Sequence, residues 1–122
     1  MTIGTLLLVG AGGFAGAILR LEISQRLKSI HTFSIPFATL TVNLIGSFIL
    51  GFITGASVSH FILLLVGTGM LGSFTTFSTF KFESIQLLRK EKKKALFFYL
   101  ILSYGGGLLF AYSGLLLGKM LL

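Results

Sequence analysis

The charged residues of this chain fall in clusters, and the stretches between them, residues 1–19, 29–80 and 95–118, hold no Asp, Glu, Lys or Arg. A helix rises about 1.5 Å per residue and needs about 20 apolar residues to cross a bilayer, so the outer stretches hold one crossing each and the middle one holds two. Four crossings use nearly all of the 122 residues. The sequence therefore predicts an all-α membrane protein, one four-helix unit over 1–122 with spans at about 3–21, 36–57, 61–88 and 95–117. A hydrophobic share of 54% and a mean hydropathy of +0.98 agree with an apolar solvent.

The same composition closes off several kinds of chemistry. There is no Cys, which removes disulfides, thiol nucleophiles and thiolate metal sites, and two His without any Asp disfavour a metal cage. Ten Lys and Arg against three Glu give a charge of +7. Their placement beside apolar spans points to lipid headgroups and topology, with no nucleic acid partner expected. Residues 1–19 lack a basic leader region and a small-residue exit, so the first span is expected to stay uncleaved. No acid/base pair, nucleophile triad or phosphate loop is present, and the chain is not expected to be an enzyme.

Within the first span Gly12 and Gly16 form a GxxxG step, with Gly13 and Ala17 repeating it alongside, which predicts close helix packing. Arg20, Glu22, Arg26 and Lys28 close it at headgroup level. A linker containing His31 follows, and Pro36 suits the first turn of the second helix. There Thr39, Asn43, Ser47, Gly51 and Gly55 recur every four residues on one stripe. An amide facing lipid would leave its polar groups unsatisfied, so Asn43 faces protein or water; an interhelical hydrogen bond and a pore-lining role both fit. His60, after a short turn, reads as an interfacial residue.

The third span opens as a conventional helix from Phe61 to Val66. Gly67, Gly69 and Gly72 then lead into Ser73-Phe74-Thr75-Thr76-Phe77-Ser78-Thr79-Phe80, a run that weakens a helix at membrane depth. We read a discontinuous helix, whose freed carbonyls are tolerated only in protein or beside a wet cavity; a continuous helix with Ser and Thr bonded back to their own backbone is the alternative. Glu83 is the one acid placed to face an internal cavity. In the fourth span Tyr99, Ser103 and Gly107 share a face, which fits a polar track, while Tyr99 also fits an interfacial belt. Gly105 to Gly107 and the Gly114/Gly118 step again suggest close packing.

Arg20, Arg26, Lys28, Lys81, Arg89, Lys90, Lys92, Lys93 and Lys94 lie on one side of a four-span layout, and Lys119 alone on the other. The positive-inside rule then predicts a multi-pass plasma (inner) membrane protein with both termini outside.

Three blocks resemble a known family, the small bacterial fluoride channels called Fluc or CrcB: Gly12-Gly13-Phe14-Ala15-Gly16-Ala17-Ile18-Leu19-Arg20, Thr41-Val42-Asn43-Leu44-Ile45-Gly46-Ser47-Phe48, and Gly72 through Glu83. Ala38 and Ser73 depart from it, standing where the family usually has glycine. The resemblance implies an antiparallel dimer of two four-helix subunits with two narrow pores and passive, selective export of fluoride. It implies that Phe77 and Phe80 line the pores with ring edges toward the anion, an orientation that the aromatic quadrupole favours. Asn43, Ser78, Thr79, Tyr99 and Ser103 are the implied hydrogen-bond donors, with Glu83 near their track. A structural, untransported Na⁺ at the dimer centre would be held by the backbone carbonyls of Gly72 and Thr75, four from two subunits. The nine-to-one charge split favours one orientation per chain, hence pairing with an oppositely oriented paralogue; a homodimer is the alternative.

Two rivals make different predictions. A proton-coupled four-span exporter needs a carboxylate deep in its first span, and none precedes Glu22. A non-transporting membrane subunit leaves Asn43 and the hydroxyl-rich third span without a purpose.

Overall fold

The computed structural model describes residues 2–27, 31–32 and 35–121. Lys28, Ser29, Ile30, Phe33 and Ser34 of the first linker lie outside the described residues. Four helical runs are long and apolar enough to cross a membrane: Ile3–Leu27, Phe37–Gly55, His60–Arg89 and Lys93–Leu121. Helix α1 (Ile3–Leu27) outlasts the charge-free stretch by about two turns, because Leu21 to Leu27 are mostly good helix formers and Glu22 pairs with Arg26 four residues on at 2.8 Å. The linker backbone forms a minimal antiparallel pair, β1 (His31–Thr32) on β2 (Ile35–Pro36). Pro36 sits just outside α2 (Phe37–Gly55) as its N-cap residue, one position earlier than expected. An αL residue, Ser57, turns the chain after α2.

The third run changes character four times. It starts as α3 (His60–Ile62), with the Ser59 hydroxyl accepting from the Ile62 amide. From Leu63 to Leu71 it is a π-helix, where a conventional helix was expected as far as Val66. Gly67 and Gly69 offer no side chain to resist the widening, and the backbone of α1 lies directly against this stretch. A short α4 (Gly72–Phe74) follows, then Thr75 is extended (φ −79°, ψ 159°), and helical bonding resumes in α5 (Ser78–Arg89). A tight turn leads to α6 (Lys93–Leu121).

Glycines join the helices into two pairs. A Cβ at Gly12 or Gly16 would strike the carbonyls of Leu65 or Met70, so α1 lies backbone to backbone on the π-helix. On α2, Gly51 and Gly55 meet the Ala111 and Leu115 carbonyls, while Gly114 and Gly118 of α6 meet those of Phe48 and Phe52. Partner numbers rise together in both seams, so each pair runs parallel, as alternate helices of an up-down-up-down chain must. This is the close approach that small-residue steps permit. Gly105, by contrast, has nothing within 4 Å of a would-be Cβ and belongs to neither seam.

Side chains fill the space between the pairs in two clusters. One gathers Ile35, Leu40, Phe80, Leu87, Ala95 and Tyr99; the other gathers Val42, Ile53, Leu71 and Phe74. Helix α2 contributes to both and is the most enclosed span. Outward positions are large and apolar, among them Leu7, Phe14, Leu50, Phe97, Leu108 and Leu109, as a lipid-facing surface requires.

Candidate functional site

The polar groups converge where the third run loses its helical bonding. Asn43, about two turns into α2, donates through Nδ2 to the Thr76 carbonyl at 2.9 Å and accepts the Thr76 amide on Oδ1 at 2.9 Å. The side chain thus takes both backbone groups of one residue, the interhelical bond that sequence left open against a pore-lining role. One Nδ2 hydrogen remains, and Asn43 also borders a cavity of about 360 Å³ with Ser47, Gly72, Thr75, Thr76 and Phe77. This pairing frees carbonyls in turn. In an unbroken helix the Thr76 amide would close on the Gly72 carbonyl, and here it goes to Asn43. The Thr79 amide would close on the Thr75 carbonyl, and it goes to the Thr76 hydroxyl at 3.3 Å instead. Gly72 faces open space, with nothing within 4 Å of a would-be Cβ.

Beyond Phe77 the rings form a ladder. Phe77 and Phe80 have centroids 5.8 Å apart, Phe80 and Tyr99 5.1 Å, and Phe80 meets Tyr104 edge-on at 5.6 Å and 85°. Phe80 is buried, whereas Phe77 is 65% exposed on the single chain. Tyr99 is fully enclosed, and its hydroxyl lies near that of Thr39 without completing a hydrogen bond, while the Ser103 hydroxyl, one turn on, is buried with no hydrogen-bond partner among the described residues. Such a hydroxyl costs about 1–3 kcal/mol unless something accepts from it. Two in succession on one helix face therefore mark a line of donors in want of an acceptor.

Glu83 accepts a hydrogen bond from the Thr39 hydroxyl and lies within electrostatic reach of Tyr99. Thr39, part of the α2 stripe but not singled out from sequence, is the buried polar residue that places this carboxylate. Ser78 and Thr79 are exposed on the single chain. Among the described residues Ser78 approaches only the Thr76 hydroxyl, at 3.4 Å. Thr79 shares a cavity of about 410 Å³ with Arg20, Ser24, Thr39 and Thr76, a grouping of one guanidinium with four hydroxyls that spacing along the chain does not reveal. Ser73 donates to the Gly13 carbonyl at 2.7 Å, so the departure from glycine adds a bond between α4 and α1. His60 is exposed at the start of α3, and no group of three or more His, Cys, Asp or Glu is gathered for a metal ion among the described residues.

Comparison with known proteins gives the same direction. The family described as CrcB-like protein, Camphor Resistance (CrcB), matches residues 7–115. A Bacillus cereus protein named fluoride-specific ion channel FluC 2 is 50% identical over 112 residues, 92% of this chain and 95% of its own. A Listeria monocytogenes protein named fluoride-specific ion channel FluC 1 is 46% identical over 91% of this chain and 94% of its own. A FluC 2 from Lactobacillus johnsonii is 42% identical over 96% and 98%. Similarity that runs through all four spans and the Asn43, Phe77 and Phe80 region alike is that of a whole chain, and this chain belongs to the CrcB-like family.

Proposed function

We propose that this chain is one subunit of a fluoride-selective channel of the cell membrane, through which fluoride leaves the cell passively and its toxicity falls. The observation that carries the reading is the line from the Asn43 amide past Phe77 and Phe80 to the unpartnered hydroxyls of Tyr99 and Ser103. Fluoride enters a narrow path only if donors replace its water. Tyr99, Ser103, the spare Asn43 hydrogen, Ser78 and Thr79 are such donors, and the positive ring edges of Phe77 and Phe80 attract a small anion without holding it tightly. Glu83 borders this track with its carboxylate engaged by Thr39. The relatives' names support fluoride as the anion.

Efflux of fluoride from liposomes loaded with it tests the proposal. Reconstituted alone or together with its oppositely oriented paralogue, the wild-type chain is expected to pass fluoride without a pH gradient, and Phe80→Ile to slow it about tenfold or more, which corresponds to about 1.4 kcal/mol of barrier. A strict requirement for a proton gradient would support the exporter reading, and no flux at all the non-transporting subunit.

The carbonyls of Gly72 and Thr75, deprived of their helical amide donors and neutral in charge, fit a hard cation such as Na⁺. Sodium there would supply a fixed positive charge joining two inverted copies. The dimer we propose is antiparallel, with both termini of this chain outside and an oppositely oriented paralogue as partner. The nine-to-one cation split supports it, as do relatives numbered 1 and 2. A homodimer is the alternative arrangement.

A further inference from the structure

The turn between α5 and α6 holds the densest run of charge in the chain, Arg89-Lys90-Glu91-Lys92-Lys93-Lys94, and it is built with unusual care. Glu91 lies in the left-handed region at φ 57°. The Glu91 amide bonds the Leu88 carbonyl at 3.1 Å and the Lys92 amide bonds the Leu87 carbonyl at 3.0 Å. This is the Schellman arrangement, whose left-handed position is usually glycine because a side chain is strained there. The turn reverses the chain between Lys90 and Lys92. Both lysines consequently line one cavity of about 320 Å³, together with Ile35, Pro36, Glu83, Gln86 and Leu87, while the intervening Glu91 does not. Glu83 at its inner wall is bonded to Thr39 and lies within electrostatic reach of Tyr99, and Ile35 and Leu87 belong to the same packed cluster as Phe80 and Tyr99. The cavity therefore abuts the near end of the hydroxyl track.

We infer that Lys90 and Lys92 form a cationic antechamber that concentrates the permeant anion at the Glu83 end of the Tyr99 and Ser103 track. The inference rests on the channel reading and adds to it a recruiting site outside the narrow path. Among the described residues the cavity's ionisable groups are the two lysines and Glu83, a net positive set, and the α6 helix that starts beside them has no acid in its first turn. A concave wall lined by one sign of charge focuses its field and raises the local concentration of the opposite ion, an effect that salt abolishes. A merely solvated run of lysines gives no reason for a non-glycine residue to turn Glu91 away from the lining.

The test is initial fluoride efflux from the reconstituted channel at two ionic strengths set with sodium gluconate. Lys90→Gln combined with Lys92→Gln is expected to slow efflux about threefold or more at about 0.01 M, where the Debye length is about 30 Å, and to converge on wild type at about 1 M, where it is about 3 Å. Lys93→Gln with Lys94→Gln removes the same charge outside the cavity lining and is expected to change efflux far less. Equal rates for wild type and the first pair, equal losses for both pairs, or a loss that persists unchanged at high salt would each overturn the antechamber. A wild-type channel that passes no fluoride, either from this chain alone or from this chain reconstituted with its oppositely oriented paralogue, overturns the channel reading and the inference with it, so the two failures are distinguishable.

Discussion

Asn43 shows how one side chain does several things because of where its atoms fall. Its carbonyl and amide groups match the backbone amide and carbonyl of Thr76, so the bond is bidentate and fixes the α2 face against the non-helical segment. Asn43→Ala leaves both Thr76 groups without that partner. The variant is expected to lose about 1–3 kcal/mol, read as a lower unfolding temperature in detergent. Asn43→Asp keeps an acceptor for the Thr76 amide but sets a carboxylate against the Thr76 carbonyl, and fluoride efflux is expected to fall more steeply than unfolding temperature. Sequence spacing put Asn43 on an interior stripe, because an amide cannot face lipid. It did not reveal the partner, since a bond to backbone leaves no trace in the partner's residue type. Thr39 escaped notice for a related reason: a threonine in a span reads as back-bonded until the carboxylate opposite is located.

At the scale of elements, glycine decides which helices touch. The α2 and α6 seam is sealed from both sides, with Gly51 and Gly55 on one helix and Gly114 and Gly118 on the other. Gly114→Leu is therefore expected to separate the pair, because the blocking atoms are the Phe48 carbonyl and the Phe52 amide, which cannot rotate away. The readout is loss of the monodisperse peak on size-exclusion chromatography in detergent, while Gly105→Leu, with nothing near its would-be Cβ, is expected to keep it. The four spans were legible because lipid demands uninterrupted apolar length, and the glycine steps because their four-residue spacing marks one helix face. The π-helix over Leu63–Leu71 was not legible. Its residues, Leu-Leu-Leu-Val-Gly-Thr-Gly-Met-Leu, suit an α-helix as well, and the wider winding is set by tertiary contact with α1.

Across the whole molecule, the distribution of charge makes a prediction about insertion. Nine of the ten cations flank the two linkers on one side, and each resists translocation. Single cysteines at Thr2 and at Met120 are expected to react with an impermeant thiol reagent from outside intact cells, and a cysteine at Glu91 only after lysis. Equal labelling of all three from outside would indicate that the chain inserts both ways and would favour the homodimer. The surroundings of Phe77 in the proposed dimer were beyond the reach of residue order, because its ring is exposed on the single chain and residue order does not say what covers it.

The two glycine seams also divide the chain mechanically. Within each parallel pair backbone lies on backbone, leaving few rotamers to shift, whereas Asn43 on Thr76, Thr39 on Glu83 and Phe80 on Tyr99 all bridge from one pair to the other. The chain is in effect two stiff planks joined by a pliable joint, and the route proposed for the ion follows that joint, where a slight rocking of the planks would widen or pinch it.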